Sequence, residues 1–181
     1  MHESSMRNME KFITKYLNKT GIVLDIGSLD TNGNYKGLFK DWKYTGVDIL
    51  AGTNVDMVLD DPYKWVEFKD EHADAIISGQ YLEHVKYPKR IMAEISRVLK
   101  VGGVCCIVAP SDGGVMDHGL RKYQIEDFKK LAKEAGLKVL ECYIDMDSTW
   151  DDCVLIAKKE GAKSEVEPGL REPKTKQIYQ H

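Results

Sequence analysis

The sequence contains no apolar run longer than six residues, Val104 to Ala109, whereas a bilayer-crossing helix needs about 20. No membrane association is expected. The first residues, MHESSMRNMEKF, lack the apolar stretch of about 7 to 15 residues that a secretory signal carries, so a cytoplasmic protein is expected. Basic residues are not in excess either: 26 Lys and Arg stand against 29 Asp and Glu, a net charge of −3, which argues against a dedicated nucleic-acid binder. Among the four cysteines no pair has CxxC spacing, and all four read as reduced packing residues. His2, His72 and His181 have no companion ligands at useful spacing, so no metal site is expected. At 181 residues there is room for one ordinary domain and little more.

What is present is an alternation of short apolar runs and helical patterns. Met9, Phe12, Ile13, Tyr16 and Leu17 share one face at helical spacing, which predicts a docking helix over 5–18 within an N-terminal segment 1–20. Ile22–Ile26, Tyr44–Asp48, Val55–Leu59, Ala73–Ser78 and Val104–Ala109 are too short for helices and read as strands covered on both faces. Ile91, Met92, Ile95, Val98 and Leu99 predict a helix opened by Pro88, with Lys100 near its end and Gly102 just beyond. A second helix covers about 124–135, with Gly136 as its left-handed closing residue. Leu137–Ile144 and Cys153–Ala157 follow with no helix between them and form an antiparallel pair. The expected fold is α/β, a doubly wound, mainly parallel, Rossmann-like sheet with an antiparallel edge, held within residues 21–160. From Gly161 to His181 the chain is polar and charged and reads as a flexible tail.

Ligands of such a sheet bind at the carboxyl ends of its strands. The first strand ends in Asp25-Ile26-Gly27-Ser28-Leu29-Asp30-Thr31-Asn32-Gly33, and a short helix is expected near Asn34–Phe39. A dinucleotide turn wants three glycines in G-x-G-x-x-G, but Leu29 and Asn32 occupy the second and third positions. Asp25 and Asp30 would repel a pyrophosphate and attract an ammonium or sulfonium; alternatively, Asp25 only caps the turn. Asp48 closes the second strand 21 residues after Gly27, where a carboxylate can accept both hydroxyls of a ribose.

Together VLDIGSLDTNG, YTGVDI, NVDMVLDDPYKW, DAIISGQYLEHV and RVLKVGG, in this order over about residues 22–110, resemble the class I S-adenosylmethionine-dependent methyltransferases, with the nearest likeness to the methyltransferase type 11 family. The resemblance implies a seven-stranded sheet of order 3-2-1-4-5-7-6 with the seventh strand antiparallel. It also implies that Asp25, Gly27 and Ser28 hold the methionine end of S-adenosylmethionine and that Asp48 binds its ribose. Ile49 would pack on adenine, Asp60 with Asp61 would face the adenine amino group, and Ser78, Gly79 and Gln80 would line the cofactor near its methyl. Leu29 and Thr31 depart from the glycines common in the family, so the turn takes another path here.

Methyl transfer from a sulfonium needs alignment and a dry pocket more than a catalytic triad. His118 lies in the glycine-containing segment Pro110–Tyr123, which reads as a lid or as an ordinary surface loop, and is the candidate catalytic base. His84 follows the fourth strand and is either a structural histidine or a substrate contact. Arg121 and Tyr123 are candidate contacts for an acidic or ring-bearing substrate. The charged run Glu126–Glu134 reads as a solvated helix face. The expected function is transfer of a methyl group from S-adenosylmethionine to a small-molecule acceptor. The alternatives are a non-catalytic cofactor-binding regulatory module and, with less support, a nicotinamide-dependent oxidoreductase.

Overall fold

The computed structural model describes residues 3–113, 119–146 and 151–161. His2, His118, His181 and the tail beyond Gly161 lie outside them. The element order is α1 (Glu3–Tyr16), β1 (Ile22–Ile26), β2 (Lys43–Asp48), β3 (Met57–Val58), β4 (Ala73–Gly79), α2 (Pro88–Val98), β5 (Leu99–Pro110), α3 (Ile125–Glu134), β6 (Leu137–Asp145) and β7 (Asp152–Lys159). Seven strands form one sheet of order β3-β2-β1-β4-β5-β7-β6. The pairs from β3 to β5 are parallel, and β7 runs antiparallel to both of its neighbours. The reversed strand thus sits one place in from the edge, with β6 outermost.

Successive strand residues point to opposite faces, and each face is covered. Val23, Ile77, Cys106 and Val108 pack with Met9 and Phe12 of α1. On the opposite face Leu24, Ile76, Cys105 and Ile107 pack with Ile91 and Ile95 of α2 and Phe128 of α3. This two-sided burial explains why the strands read as continuous apolar runs. Cys105, Cys106 and Cys153 are buried, Cys142 is half-buried, and all four are free thiols. Among the described residues no helix is long and apolar enough to cross a membrane.

Three local expectations change. The helix expected near Asn34–Phe39 is a single 3-10 turn, Lys36–Leu38, because Tyr35 and Phe39 bury their rings on either side of it and fix the chain after one turn. The strand expected over Val55–Leu59 shortens to Met57–Val58: Val55 closes a turn onto Gly52, and Asp56 bonds back to Gly46 at both backbone and side chain. Lys100 and Gly102 belong to β5 and not to a helix end. The chain passes from Val98 straight into the strand, and Gly102, at φ +84°, sits where the β4–β5 register slips.

Gln124 opens α3 with a capping box to Asp127, and Gly136 closes it at φ +73°. The polar side of α1 does more than face solvent. Ser4 donates to Asp152 (2.7 Å), Asn8 and Arg7 to Asp145 (2.9 Å each), and Ser5 pairs with the Tyr35 hydroxyl (2.5 Å). The helix is thereby fastened across the start of β7 and the end of β6.

Candidate active site

β1 lies between β2 and β4, so the connections from its two neighbours leave in opposite directions and open a crevice at its carboxyl end. A cavity of about 70 Å³ occupies that crevice, walled by Asp25, Gly27, Ser28, Leu29, Thr31 and the Gly79–Gln80 pair, among others. Gly27 turns the chain at φ +76°, and the Tyr81 ring packs so close that a side chain at 27 would overlap it. The turn is pinned to β2 by the amides of Gly27 and Ser28, which both donate to Val47 (2.9 and 3.1 Å).

Asp25 is 3% exposed, and the Tyr44 hydroxyl donates to its carboxylate at 2.5 Å. Burial pushes its pKa up to about 7, against the opposing hydrogen bond from Tyr44 and with help from the nearby Asp48 charge. The carboxylate therefore sits at the cavity wall with its charge poorly solvated, and a cation delivered there would stabilise it. Asp30 behaves differently. It accepts the Gly33 amide and the Asn34 side chain (2.6 Å each), which lowers its pKa and commits it to its own turn.

At the end of β2, Asp48 accepts the amides of Ile49 (2.7 Å) and Leu50 (3.2 Å) on one oxygen and of Leu29 (3.1 Å) on the other. The second oxygen keeps a lone pair for a further donor. Ile49 and Leu50 are 44% and 59% exposed, an apolar shelf beside this carboxylate. Asp60 and Asp61 lie on the surface after β3, where Asp61 accepts the Tyr63 amide (2.8 Å). Ser78 is not a wall of the cavity, and its buried hydroxyl donates to Ile26 (2.8 Å), tying β4 to β1. Gly79 and Gln80 do line it. Gln80 adopts φ +56°, a left-handed conformation uncommon for a residue with a side chain, and is held there by its amide to Val108 (2.8 Å) and its side chain to Asp152 (2.8 Å).

The 3-10 turn Leu82–His84 follows directly. The His84 ring is about half exposed, 3.7 Å from the Glu83 carboxylate. Arg121 donates to the Lys86 carbonyl (3.1 Å). Tyr123 is 2% exposed, stacked on Phe128, and gives its hydroxyl to Leu82 (3.0 Å). It was expected to face the substrate; packing spends its hydroxyl on fastening the return of the 110–123 segment.

Sequence reasoning missed Glu83. It is 2% exposed, one carboxylate oxygen has no hydrogen-bond partner, and burial, with the Asp152 charge behind it, pushes its pKa up to about 7. Only its place three residues after Gln80 signalled it. Tyr44 and Asn54 were missed as well: Asn54 donates to the Tyr44 hydroxyl (2.9 Å) and to the Ser28 carbonyl (3.0 Å), linking the buried acid to the turn.

The model of the methyltransferase domain family matches residues 12–107, which holds every strand from β1 to β4 and the crevice between them. The chain belongs to that family. This methyltransferase uses S-adenosylmethionine as its cofactor, and the buried carboxylate with the second acid at the end of β2 fits a cationic nucleoside. No curated protein matches the sequence. Among solved structures the methyltransferase resembles Burkholderia thailandensis 1,6-didemethyltoxoflavin-N1-methyltransferase, crystallised with 1,6-didemethyltoxoflavin and S-adenosylhomocysteine, at 18% identity and TM-score 0.69, covering 88% of this chain and 80% of that one. It resembles Haemonchus contortus phosphoethanolamine N-methyltransferase 2 in complex with S-adenosyl-L-methionine at 15% identity and TM-score 0.67, covering 87% and 52%. The [4+2]-cyclase SpnF is similar to the same degree, at 18% identity and TM-score 0.65, covering 85% and 81%. At such identities the likeness is one of fold, and the chemistry must be argued from this site.

Proposed function

We propose that the chain is a cytoplasmic enzyme that transfers the methyl group of S-adenosylmethionine to a small-molecule acceptor. The observation that carries the reading is the buried, poorly solvated carboxylate of Asp25 at the wall of the crevice cavity. In this reading residues 21–160 form the catalytic domain and residues 1–20 the docking segment. Asp25 takes the cofactor's ammonium, with Gly27 and Ser28 at the methionine end. Asp48 accepts a ribose hydroxyl on its less occupied oxygen, and Ile49, joined by Leu50, packs on adenine with Asp60 and Asp61 near its amino group. Gly79 and Gln80 face the reacting end, held in place by Ser78 and Asp152.

The bound cofactor supplies an activated methyl, so the protein's task is to align a nucleophile within about 3.5 Å and exclude water. Arg121 and His84 are the acceptor contacts, and Tyr123 positions the segment that carries Arg121. For an acceptor that arrives protonated two groups can receive the proton. One is His118, which lies outside the described residues. The other is Glu83, buried within the 3-10 turn Leu82–His84, with one carboxylate oxygen unpartnered and a pKa near neutrality. A small acceptor is supported by the net negative charge, which lacks the basic excess of a nucleic-acid binder.

Thermal unfolding with S-adenosylhomocysteine, and separately with NAD, tests the reading. A ligand at about 100 times its Kd stabilises by about 2.7 kcal/mol. A rise with S-adenosylhomocysteine alone is expected; a rise with NAD alone would overturn the proposal. Methyl release across an acceptor panel then separates an enzyme from a module that only binds the cofactor.

A further inference from the structure

A second cavity, about 710 Å³, lies between the start of α2 and the outer face of α3. Its size falls within the range of about 300–1,000 Å³ typical of small-molecule sites. Six basic side chains line it: Lys86, Lys89, Arg90, Arg121, Lys122 and Lys130. Only two carboxylates, Asp127 and Glu134, share the wall, and both are engaged. Asp127 accepts the Gln124 amide that closes the α3 capping box (2.9 Å), and Glu134 pairs with Lys89 (3.0 Å). Among the described residues Lys86, Arg90 and Lys130 have no carboxylate within ion-pair distance. Tyr87, Tyr123 and Leu131 supply an apolar floor.

Two further features are unfavourable unless an anion is present. The α2 N-terminus points its positive end into this groove, yet it has no acid in its first turn and no side-chain cap, and carries Lys89 and Arg90 instead. Cations there oppose the helix dipole. Independently, the Nε of Arg121 is buried without an acceptor, while the same guanidinium donates from another nitrogen to the Lys86 carbonyl (3.1 Å). A ligand anion in the groove would oppose the uncompensated charge of the guanidinium and of the helix end.

We infer that the groove between the N-terminus of α2 and α3 binds a small, multiply charged organic anion, a phosphate ester or a polycarboxylate, at a site separate from the cofactor crevice. None of its walls is shared with the crevice cavity. The inference rests on the groove's own lining; of the proposed acceptor contacts, Arg121 alone is also one of its walls.

The test is calorimetric titration of the full chain with inorganic pyrophosphate and, in a second arm, citrate, each with and without saturating S-adenosylhomocysteine. Binding of at least one anion with a Kd on the order of 1 mM or tighter is expected, weakening as salt is raised. The double variant Arg90→Glu/Lys130→Glu should weaken it at least about tenfold, equivalent to about 1.4 kcal/mol, with no loss of thermal stability, because both side chains are exposed and an acid in the first turn of α2 favours the helix. Arg121→Gln, which removes the charge and the guanidinium, should weaken it as well. Preference for pyrophosphate over citrate, or the reverse, identifies which chemistry the groove reads. Absence of binding in both arms, equal affinity in the charge-reversed variant, or displacement by S-adenosylhomocysteine would each overturn the inference. Failure of the cofactor reading shows separately, as no heat with S-adenosylhomocysteine while the anion titration persists.

Discussion

Replacing Asp25 with Asn should make the empty protein more stable at alkaline pH while disabling it. Burial holds the pKa of Asp25 at about 7, against 3.8 for the group in water. A folded-state pKa above the unfolded one means that the folded protein binds the extra proton, so the contribution to stability is full below 3.8 and is lost as pH rises through about 7. Between about pH 5 and about pH 8 the unfolded chain is already ionised, and the folded protein surrenders its proton over about two pH units, a ceiling of about 2.7 kcal/mol. Relaxation around the carboxylate and water entry reduce this to about 1–2 kcal/mol. The Tyr44 hydroxyl can donate to the Asn carbonyl as it does to the carboxylate, so the substitution removes the charge and leaves the packing. Urea unfolding at the two pH values is the assay. Wild type should lose more stability on the alkaline side than Asp25→Asn by that margin. Glu83, raised by burial from 4.5 to about 7, gives a second contribution of the same sign. The double variant Asp25→Asn/Glu83→Gln should therefore show the flattest profile. In the same reading an incoming ammonium must drive the proton off Asp25, so cofactor affinity should fall up to about tenfold per unit below about pH 7 in wild type. Equal pH slopes for wild type and Asp25→Asn would refute the claim that this carboxylate is held in a desolvated site.

Asp48→Ala should weaken S-adenosylhomocysteine at least about tenfold by calorimetry, since a charge-assisted bond is worth about 1.5–3 kcal/mol; unchanged affinity would remove Asp48 from the site. Gly79→Ala places a methyl 1.9 Å from the Tyr35 hydroxyl, which is bonded to Ser5. Overpacking of that kind costs about 1–3 kcal/mol in urea unfolding, and wild-type stability would mean that Tyr35 does not close the crevice. Ser4→Ala removes a 2.7 Å donor from the buried Asp152, so a loss of about 1–2 kcal/mol is expected. A neutral result would show that the Ser4 bond adds nothing to what holds α1.

The sheet was legible because its cause is local. Covered strands must be short apolar runs, and Val23 to Ile26, Ala75 to Ile77 and Val104 to Ala109 are all buried. The positions of Asp25 and Asp48 were legible for the same reason: each is the first acid where a run ends. What escaped was whatever depends on side chains from distant segments meeting. Ser4, Ser5 and Asn8 look like solvent-facing positions of an amphipathic helix, but they bond to Asp152, Tyr35 and Asp145 respectively. Glu83 resembles an exposed surface acid until Leu120 is seen bonding to its carbonyl (2.7 Å) over a carboxylate that has lost its water. Nothing in the residue type of Gln80 announces a left-handed backbone.

The turn after β1 holds its path without glycines that its family commonly has. Glycine serves there because the backbone must approach the ligand closely. Leu29 meets that requirement by leaning outward: its side chain lies against Gly52, so close that a methyl at 52 would overlap it, while its amide turns inward to Asp48. Gly52 and Gly46 thus carry part of the burden moved off the turn, Gly46 by letting the Asn54 carbonyl pass at a distance no side chain would allow. Asn54, at φ +67°, then returns a hydrogen bond to Ser28 and holds the turn against β2. Freedom given up at 29 and 31 reappears in the neighbouring strand at 46 and in the loop after it at 52. Gly52→Ala should therefore impair cofactor binding from outside the cavity, by displacing Leu29 and with it the amide that orients Asp48. Calorimetry with S-adenosylhomocysteine reads the effect, and the double variant Gly52→Ala/Leu29→Ala, which removes the clash, should recover most of the affinity. Recovery in the double variant assigns the loss to this contact; an equal loss in both would place the role of Gly52 in its own backbone.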